Sequence, residues 1–538
     1  KNARNGYFEK LIKEYLLDNN HKSIISLVPE YGLEKEKEQK EADKLAEYKS
    51  TLTNDELEEL VKKTKELKEY QDTPSSQEDL EKIPMLELSD IKRESAKDYN
   101  DVKSVDGIKI VHHNIFTNKI AYINMSFDTK CVPDELIPYM GLLGSTLSLM
   151  DTKNYTYPEL TNEININCGG LATGTALYSD KVDFSKNTIV YEVKSKALYE
   201  KVPFVLGMME EIMYNTRFDD YKRLKEIIAR IKSRLEASLM GQGHSIAMLE
   251  CCAQFSESAY YSDILRGYKY YEFIKKLDEE FEQNKTQIVD KLNKLVGYIF
   301  NKDNVIVSLT ADDEGYDCFV KALSAKSCNI KDEHYNTAVR SFIPVNVKTG
   351  YTSASQVQYV ARCGNFVKDG YKYTGALKVL KVIFSYDYLW INVRVKGGAY
   401  GCMSGSSRNG DFYMVSYRDP NLEKTNDIYE GAADYIRNFN VSRRDMVKFI
   451  IGTIGEIDAP LTPSAIGSRS FTHYMCNCTE DMLRKDREEV LDATVESIRE
   501  LAPLIESAVG QNYLCVVGNQ KQINEAADLF DEIKPLIG

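Results

Sequence analysis

The 538 residues, 43% hydrophobic and 28% charged, have a globular composition and are too many for one core, so two or three domains are expected. Eighty-two acidic against 69 basic side chains give a formal net charge of −13, and no basic stripe appears, which sets nucleic-acid binding aside. No apolar run approaches the ~20 residues that cross a bilayer, so no membrane partner is expected.

Along the chain, Phe8, Leu11, Ile12, Tyr15 and Leu16 share one helical face, and Ser23–Val28 reads as a short β-like stretch. A Lys/Glu-rich helix runs from about Glu34 to Lys49. Thr53 and Glu56 are spaced as a capping box that starts a second helix carrying Leu57, Leu60, Val61, Thr64 and Leu67, with a stop at Thr73-Pro74-Ser75-Ser76. Residues 1–104 are therefore expected to be a helical hairpin linker.

From Val105 the pattern becomes α/β. Ala121, Ile123, Met125 and Phe127 alternate with mostly polar neighbours as one buried strand face. A helix over Asp134–Met150 and a second one reaching Gly169-Gly170 follow, then strands near Leu171–Tyr178 and Asn187–Lys194. Helices span Val202–Tyr214 and Tyr221–Met240, and Asn304–Thr310 is a closing strand. The order recurs: strand Gln356–Arg362, helix Tyr373–Phe384, a stretch reaching Gly397-Gly398, strand Phe412–Tyr417, helices Asp427–Phe439 and Arg444–Ile454, and closing strand Asn512–Gly518. Gly-Gly turns and closing asparagines at similar offsets indicate a duplication, with domains at 105–330 and 331–538.

Of the six histidines, none forms H-E-x-x-H or H-x-x-E-H. His112-His113 lies at a strand end, where one ring is expected buried and one exposed. Eleven cysteines are scattered without framework spacing and read as reduced thiols of a cytoplasmic compartment. No signal peptide opens the chain, and its start at Lys1 reads as a fragment or a processed product, with an organelle matrix as the alternative location if a targeting segment lies upstream. Gly241-Gln242-Gly243-His244 reads as a helix turn.

The densest cluster is Asn392 to Gly401, where Gly397, Gly398 and Gly401 permit a tight turn or close approach to a ligand. Gly397 and Gly398 are candidate substrate-binding positions. Arg394 and Tyr400 flank them with a permanent cation and a hydroxyl, groups suited to a carbonyl oxygen that becomes an oxyanion. The bland reading is an Arg394 ion pair and a Tyr400 ring packed at a sheet end. Arg418-Asp419 reads as a local ion pair before Pro420.

Arg394–Gly401 and Ser416–Asn421 resemble segments of the C-terminal half of the insulinase (pitrilysin) family of zinc peptidases, which carry an inverted H-x-x-E-H. The resemblance implies an α+β fold of two duplicated α/β sandwich domains, each a mixed sheet packed by helices. It also implies a clamshell enzyme that degrades unfolded peptides, with zinc in an N-terminal half of the same polypeptide. Arg394 and Tyr400 match the family's pair that reaches this distant site as catalytic residues. Asp151–Tyr155 resembles the turn after the zinc helix, which places Leu142-Leu143-Gly144-Ser145-Thr146 where ligands would lie; none suits zinc, so no metal is expected in this chain, and the chain alone is expected to be inactive. The alternative is a non-catalytic binding or assembly subunit on the same fold.

Overall fold

Charge-rich sequence with few apolar residues cannot build a core, and the first 85 residues behave accordingly. A computed structural model describes residues 2–28, 30, 32–73, 75–326 and 329–537. Two compact units divide the chain, Lys1–Met85 and Leu86–Gly538. In the first, α1 (Tyr7–Leu11) continues as a π-helix over Ile12–Leu17, and α2 (Leu33–Thr51) and α3 (Asn54–Asp72) follow. The capping box forms as expected: the Glu56 amide donates to Thr53 Oγ1 at 3.3 Å, and the Thr53 amide donates to Glu56 Oε2 at 2.8 Å. Pairs such as Lys63–Glu59 at 2.7 Å support the helices locally. Ser23–Val28 forms no strand; a strand needs a paired neighbour, and Ile24 and Leu27 are 97% exposed here. Pro74, part of the expected helix stop, lies outside the described residues.

The second unit holds two six-stranded mixed sheets. The first comprises β1 (Asp101–Val105), β2 (Ile108–Asn114), β3 (Ile120–Asp128), β4 (Leu171–Ser179), β5 (Asn187–Leu198) and β6 (Val305–Ala311), in the order β1-β2-β6-β3-β5-β4. The second comprises β7 (Thr349–Ser353), β8 (Tyr359–Asn365), β9 (Gly401–Ser406), β10 (Asp411–Tyr417), β11 (Tyr513–Asn519) and β12 (Glu532–Pro535), in the order β12-β7-β11-β8-β10-β9. Five strands match one for one. In each sheet a parallel pair (β2 with β6, β7 with β11) is followed by three antiparallel pairings. The sheets differ only at the far edge, where β1 is antiparallel and β12 parallel to its neighbour.

One face of the first sheet, with Ile123, Met125 and Phe127, packs on α4 (Ile137–Thr146) and α5 (Val202–Tyr214). The opposite faces are covered reciprocally. Helix α6 (Gly243–Ala253) from the first α/β repeat lies on the second sheet, where Ile246, Ala247 and Cys251 join Tyr359, Ala361 and Val517. α7 (Asp313–Ser324) and α8 (Ala376–Ile383) flank their own sheets, while α9 (Pro463–Met475) from the second repeat crosses to the first sheet through Phe471, against Val111, Tyr178 and Val190. Burying both faces of both sheets this way welds the repeats together. Residues 86–104, counted with the linker in the sequence reading, lie in this unit: Arg93 pairs with Asp492 at 2.6 Å, and Asp98 with His473 at 2.7 Å.

That double cover corrects the expectation for His112 and His113, both fully buried. Alternation sends them to opposite faces, and each face carries a helix. His112 stacks on Tyr316 of α7 with ring centroids 4.7 Å apart, and its Nε2 is 2.9 Å from Ala311 O. His113 has Ser308 Oγ at 2.9 Å on Nε2 and Tyr99 O on Nδ1. Burial, partly opposed by the Tyr99 carbonyl, pushes the His113 pKa down to about 4. A histidine whose folded pKa lies below its unfolded value gains its proton on unfolding, so this stability is full above pH ~6.5 and falls as pH drops towards 4. Urea titrations of His113→Gln and the parent should show the parent losing roughly 3 kcal/mol more between pH 7 and 4. Parallel pH profiles would contradict this account.

Candidate active-site segment

The approach to the cluster is helical but underwound. After α8 the chain runs through two π-helical stretches, Phe384–Tyr388 and Trp390–Val395, rather than the plain helix that the periodicity suggests. A π-turn inserts one residue and so re-aims the side chains that follow, a geometry frequent at functional sites. Here it sets the Arg394 guanidinium carbon 3.9 Å from the ring centroid of Trp390, the single tryptophan of the chain. Among the described residues no carboxylate lies within 4.0 Å of Arg394, so the bland ion-pair reading does not hold.

The turn then reverses tightly. The Gly398 amide donates to Arg394 O at 2.8 Å and the Ala399 amide to Val393 O at 3.1 Å. Gly398 has φ +83°, which a side chain would strain, and a Cβ on Gly397 would fall 2.4 Å from Val393 O. Tyr400 is fastened by its backbone, its amide shared between Tyr417 O at 3.1 Å and Arg418 O at 3.2 Å. Its ring remains 68% exposed, edge-on to Tyr417 at 5.8 Å and 5.9 Å from the Arg394 guanidinium carbon. The turn thus presents a cation and a phenol side by side, held from behind.

The support is Ser416–Asn421. Asp419 is fully buried and does not pair with Arg418, which corrects the local ion-pair reading. Its carboxylate accepts from the Asn421 amide at 2.9 Å and from Thr425 Oγ1 at 2.7 Å, while Asn421 Nδ2 donates to Gly397 O at 2.6 Å. Burial raises the Asp419 pKa against these hydrogen bonds. Arg418 itself takes φ +49°, with its guanidinium 5.6 Å from the Tyr417 ring. His244, read from sequence only as part of a helix turn, packs edge-on to Tyr417 at 4.9 Å, so α6 of the first repeat braces the ring against which Tyr400 rests. Only the fold brings His244 there; no sequence signal links it to position 417.

The degenerate segment lies on α4. Leu142, Leu143 and Thr146 are fully buried, and Ser145 turns back towards Gly141 O at 3.5 Å. These side chains build core and do not fit a zinc ion. Among the described residues, three potential ligand atoms gather only at Asp303, Asp332 and His334, all exposed, with His334 hydrogen-bonded to Asp303. The ten described cysteines are free. No described helix is long and apolar enough to cross a membrane.

Two family models match the sequence: the associated region of M16 peptidases of subfamily C over residues 27–277, and the "PreP C-terminal domain" over residues 350–519. Protein HypA of Clostridium perfringens is 39% identical over 536 residues, covering 99% of this chain and 54% of that protein. Presequence protease 1, chloroplastic/mitochondrial, of Arabidopsis thaliana is 29% identical over 538 residues, covering 98% of this chain and 49% of the relative. The chain spans about half the length of the curated relatives it matches. Among solved structures, the peptidase M16 inactive domain of Pseudomonas fluorescens aligns with TM-score 0.54 at 14% identity, covering 81% of this chain and 98% of that one. A conserved protein of Enterococcus faecalis aligns with TM-score 0.57 at 13% identity, covering 77% and 97%. These two likenesses speak to the fold.

Proposed function

We infer, from the premise that this chain belongs to the M16 peptidases as the counterpart of the C-terminal half of presequence proteases, that it completes a peptide-cleaving site whose metal is held elsewhere. The observation that carries the reading is the exposed Arg394–Tyr400 pair, which has no structural partner that would explain it among the described residues. In this reading the catalytic partner is a zinc-binding N-terminal half of the same polypeptide, and the substrates are unfolded peptides enclosed in a two-lobed chamber. Zinc held by that half would supply the activated water. From this chain, Arg394 and Tyr400 hold the scissile carbonyl oxygen and stabilise its charge as it develops, and the backbone at Gly397 and Gly398 admits the peptide closely. Residues 105–330 and 331–538 act as the two α/β domains of this half, with 1–104 as the connecting region, in the cytoplasm or an organelle matrix.

The coding sequence upstream of Lys1 tests the reading at once. An H-x-x-E-H several hundred residues before it, in a protein whose peptide cleavage stops on chelation and returns with zinc, is the expected result. An intact upstream half lacking that motif would favour a binding or assembly subunit instead.

A further inference from the structure

The two matched sheets differ on the face that receives the exchanged helix. In the second sheet this face is apolar, with Tyr359, Ala361, Cys363, Val415 and Val517 under α6. In the first sheet the cross-strand register sets Thr310, Tyr122 and Lys196 in one row and Ser308, Asn124 and Lys194 in the next. Polar groups on a covered sheet face are costly unless they have partners. Here they line a cavity of about 400 Å³, open between this face, the Gly169–Gly170 turn and Ser464 and Ser468 of α9. The Gly169–Gly170 turn precedes β4 as Gly397–Gly398 precedes β9, so the cavity occupies the first repeat's version of the candidate active-site turn.

Three features of its wall remain unmatched. Lys194 is neutralised by Glu192 at 2.5 Å, and Glu192 also accepts from Asn124 Nδ2 at 2.8 Å and the Tyr178 hydroxyl at 3.0 Å. Lys196 has no such carboxylate within 4.0 Å among the described residues, and its stem lies over Gly169, where a Cβ would come 2.7 Å from its Cε. The Asn124 amide is oriented by Glu192, which leaves its Oδ1 shut off from solvent with no donor. Finally, β4 is an edge strand, paired only with β5. A free cation, an orphaned acceptor and an open strand edge are complementary to one ligand: an extended peptide ending in a carboxylate.

We propose that this cavity binds the carboxylate-bearing end of an extended peptide, with the carboxylate on Lys196 and a peptide N–H donated to Asn124 Oδ1. The choice of a peptide rests on the peptidase reading above; the charge and hydrogen-bond complementarity does not. The carboxylate could belong to the chain terminus or to an acidic side chain, and three labelled peptides of otherwise equal sequence separate these: a free C-terminal acid, its amide, and the amide carrying a terminal glutamate.

Fluorescence anisotropy with this chain should show the acid bound more tightly than the plain amide. Lys196→Gln should weaken the acid by about tenfold and leave the plain amide unchanged. If the glutamate-bearing amide matches the acid and is equally sensitive to Lys196→Gln, the side-chain carboxylate is a ligand as well, and the site stands. Ala172→Trp, placed on the exposed rim beside Lys194, should weaken all three. No binding of the acid, or equal effects of Lys196→Gln on acid and amide with an unchanged circular-dichroism spectrum, would overturn the proposal. The two assignments also fail separately. Unchanged turnover in Tyr400→Phe removes the catalytic role of that turn, whereas a flat Lys196→Gln series removes this cavity alone.

Discussion

Replacing Tyr400 with phenylalanine in the full-length enzyme should lower kcat for peptide cleavage by about 100-fold, with Tm and zinc content unchanged. The substitution deletes one oxygen from a ring that is 68% exposed, and the residue is anchored through its amide, which phenylalanine keeps. The hydroxyl makes no hydrogen bond to the described residues, so its loss should cost stability no more than about 0.5 kcal/mol. Arg394→Ala should lower kcat/KM by about 10²–10³, since it removes a charge-assisted donor at a site that excludes water on closure. Arg394→Lys should restore only part of this, because an ammonium replaces the planar group that rests on Trp390 at 3.9 Å. Rates for Tyr400→Phe equal to the parent would remove the residue from the chemistry.

Gly364→Ala should destabilise the second unit by about 3 kcal/mol or more in urea titration. Gly364 is buried on β8, where α10 (Ala502–Gly510) crosses, and an added Cβ would sit 1.9 Å from Ala508 O and 2.6 Å from its carbonyl carbon. The clash is with backbone, so no rotamer change relieves it. The helix is also tied to the strand by Arg362, whose guanidinium donates to Val509 O at 3.1 Å and to Asn426 Oδ1 at 2.8 Å. Gly455→Ala is the control: it lies inside the helix Arg443–Ile457 with nothing within 4 Å of an added Cβ, and should stabilise by up to about 1 kcal/mol. A loss below about 1 kcal/mol for Gly364→Ala would contradict the close approach of strand and helix.

Much of the fold was legible because its signals are local. The alternation at Ile123, Met125 and Phe127, the Thr53–Glu56 box and the Gly-Gly turns each declare themselves within a few residues. The repeated order of elements also pointed to the two matched sheets. What escaped depends on neighbours distant in sequence. His112 and His113 are both buried because α7 and α9 cover opposite faces, and α9 begins 350 residues after His113. Ser23–Val28 has strand-like composition but no adjacent strand in the described residues. β7 and β12 are five and four residues long and carry no clear alternation, so only pairing defines them.

The candidate site divides in the same way. Arg394, Gly397, Gly398 and Tyr400 stood out as a cluster because unusual residue types crowd into one short segment. Asp419 looked like half of an ion pair, since adjacent opposite charges invite that reading, yet burial and the Thr425 hydroxyl give it a different task. The π-helical turn that aims Arg394 at Trp390 leaves the same spacing of apolar residues as an ordinary helix end. The polar face around Asn124 and Lys196 is spread over three strands and becomes a surface only through their register.

The most direct test of the central claim is complementation. A zinc-binding N-terminal half is mixed with this chain, or with the chain carrying both Arg394→Ala and Tyr400→Phe, and initial rates of peptide cleavage are measured at saturating chain concentration. The account predicts zinc-dependent cleavage with the parent chain and a rate at least about 100-fold lower with the double variant, at equal affinity between the halves. Equal rates with the parent and the double variant, or cleavage by this chain alone, would contradict it.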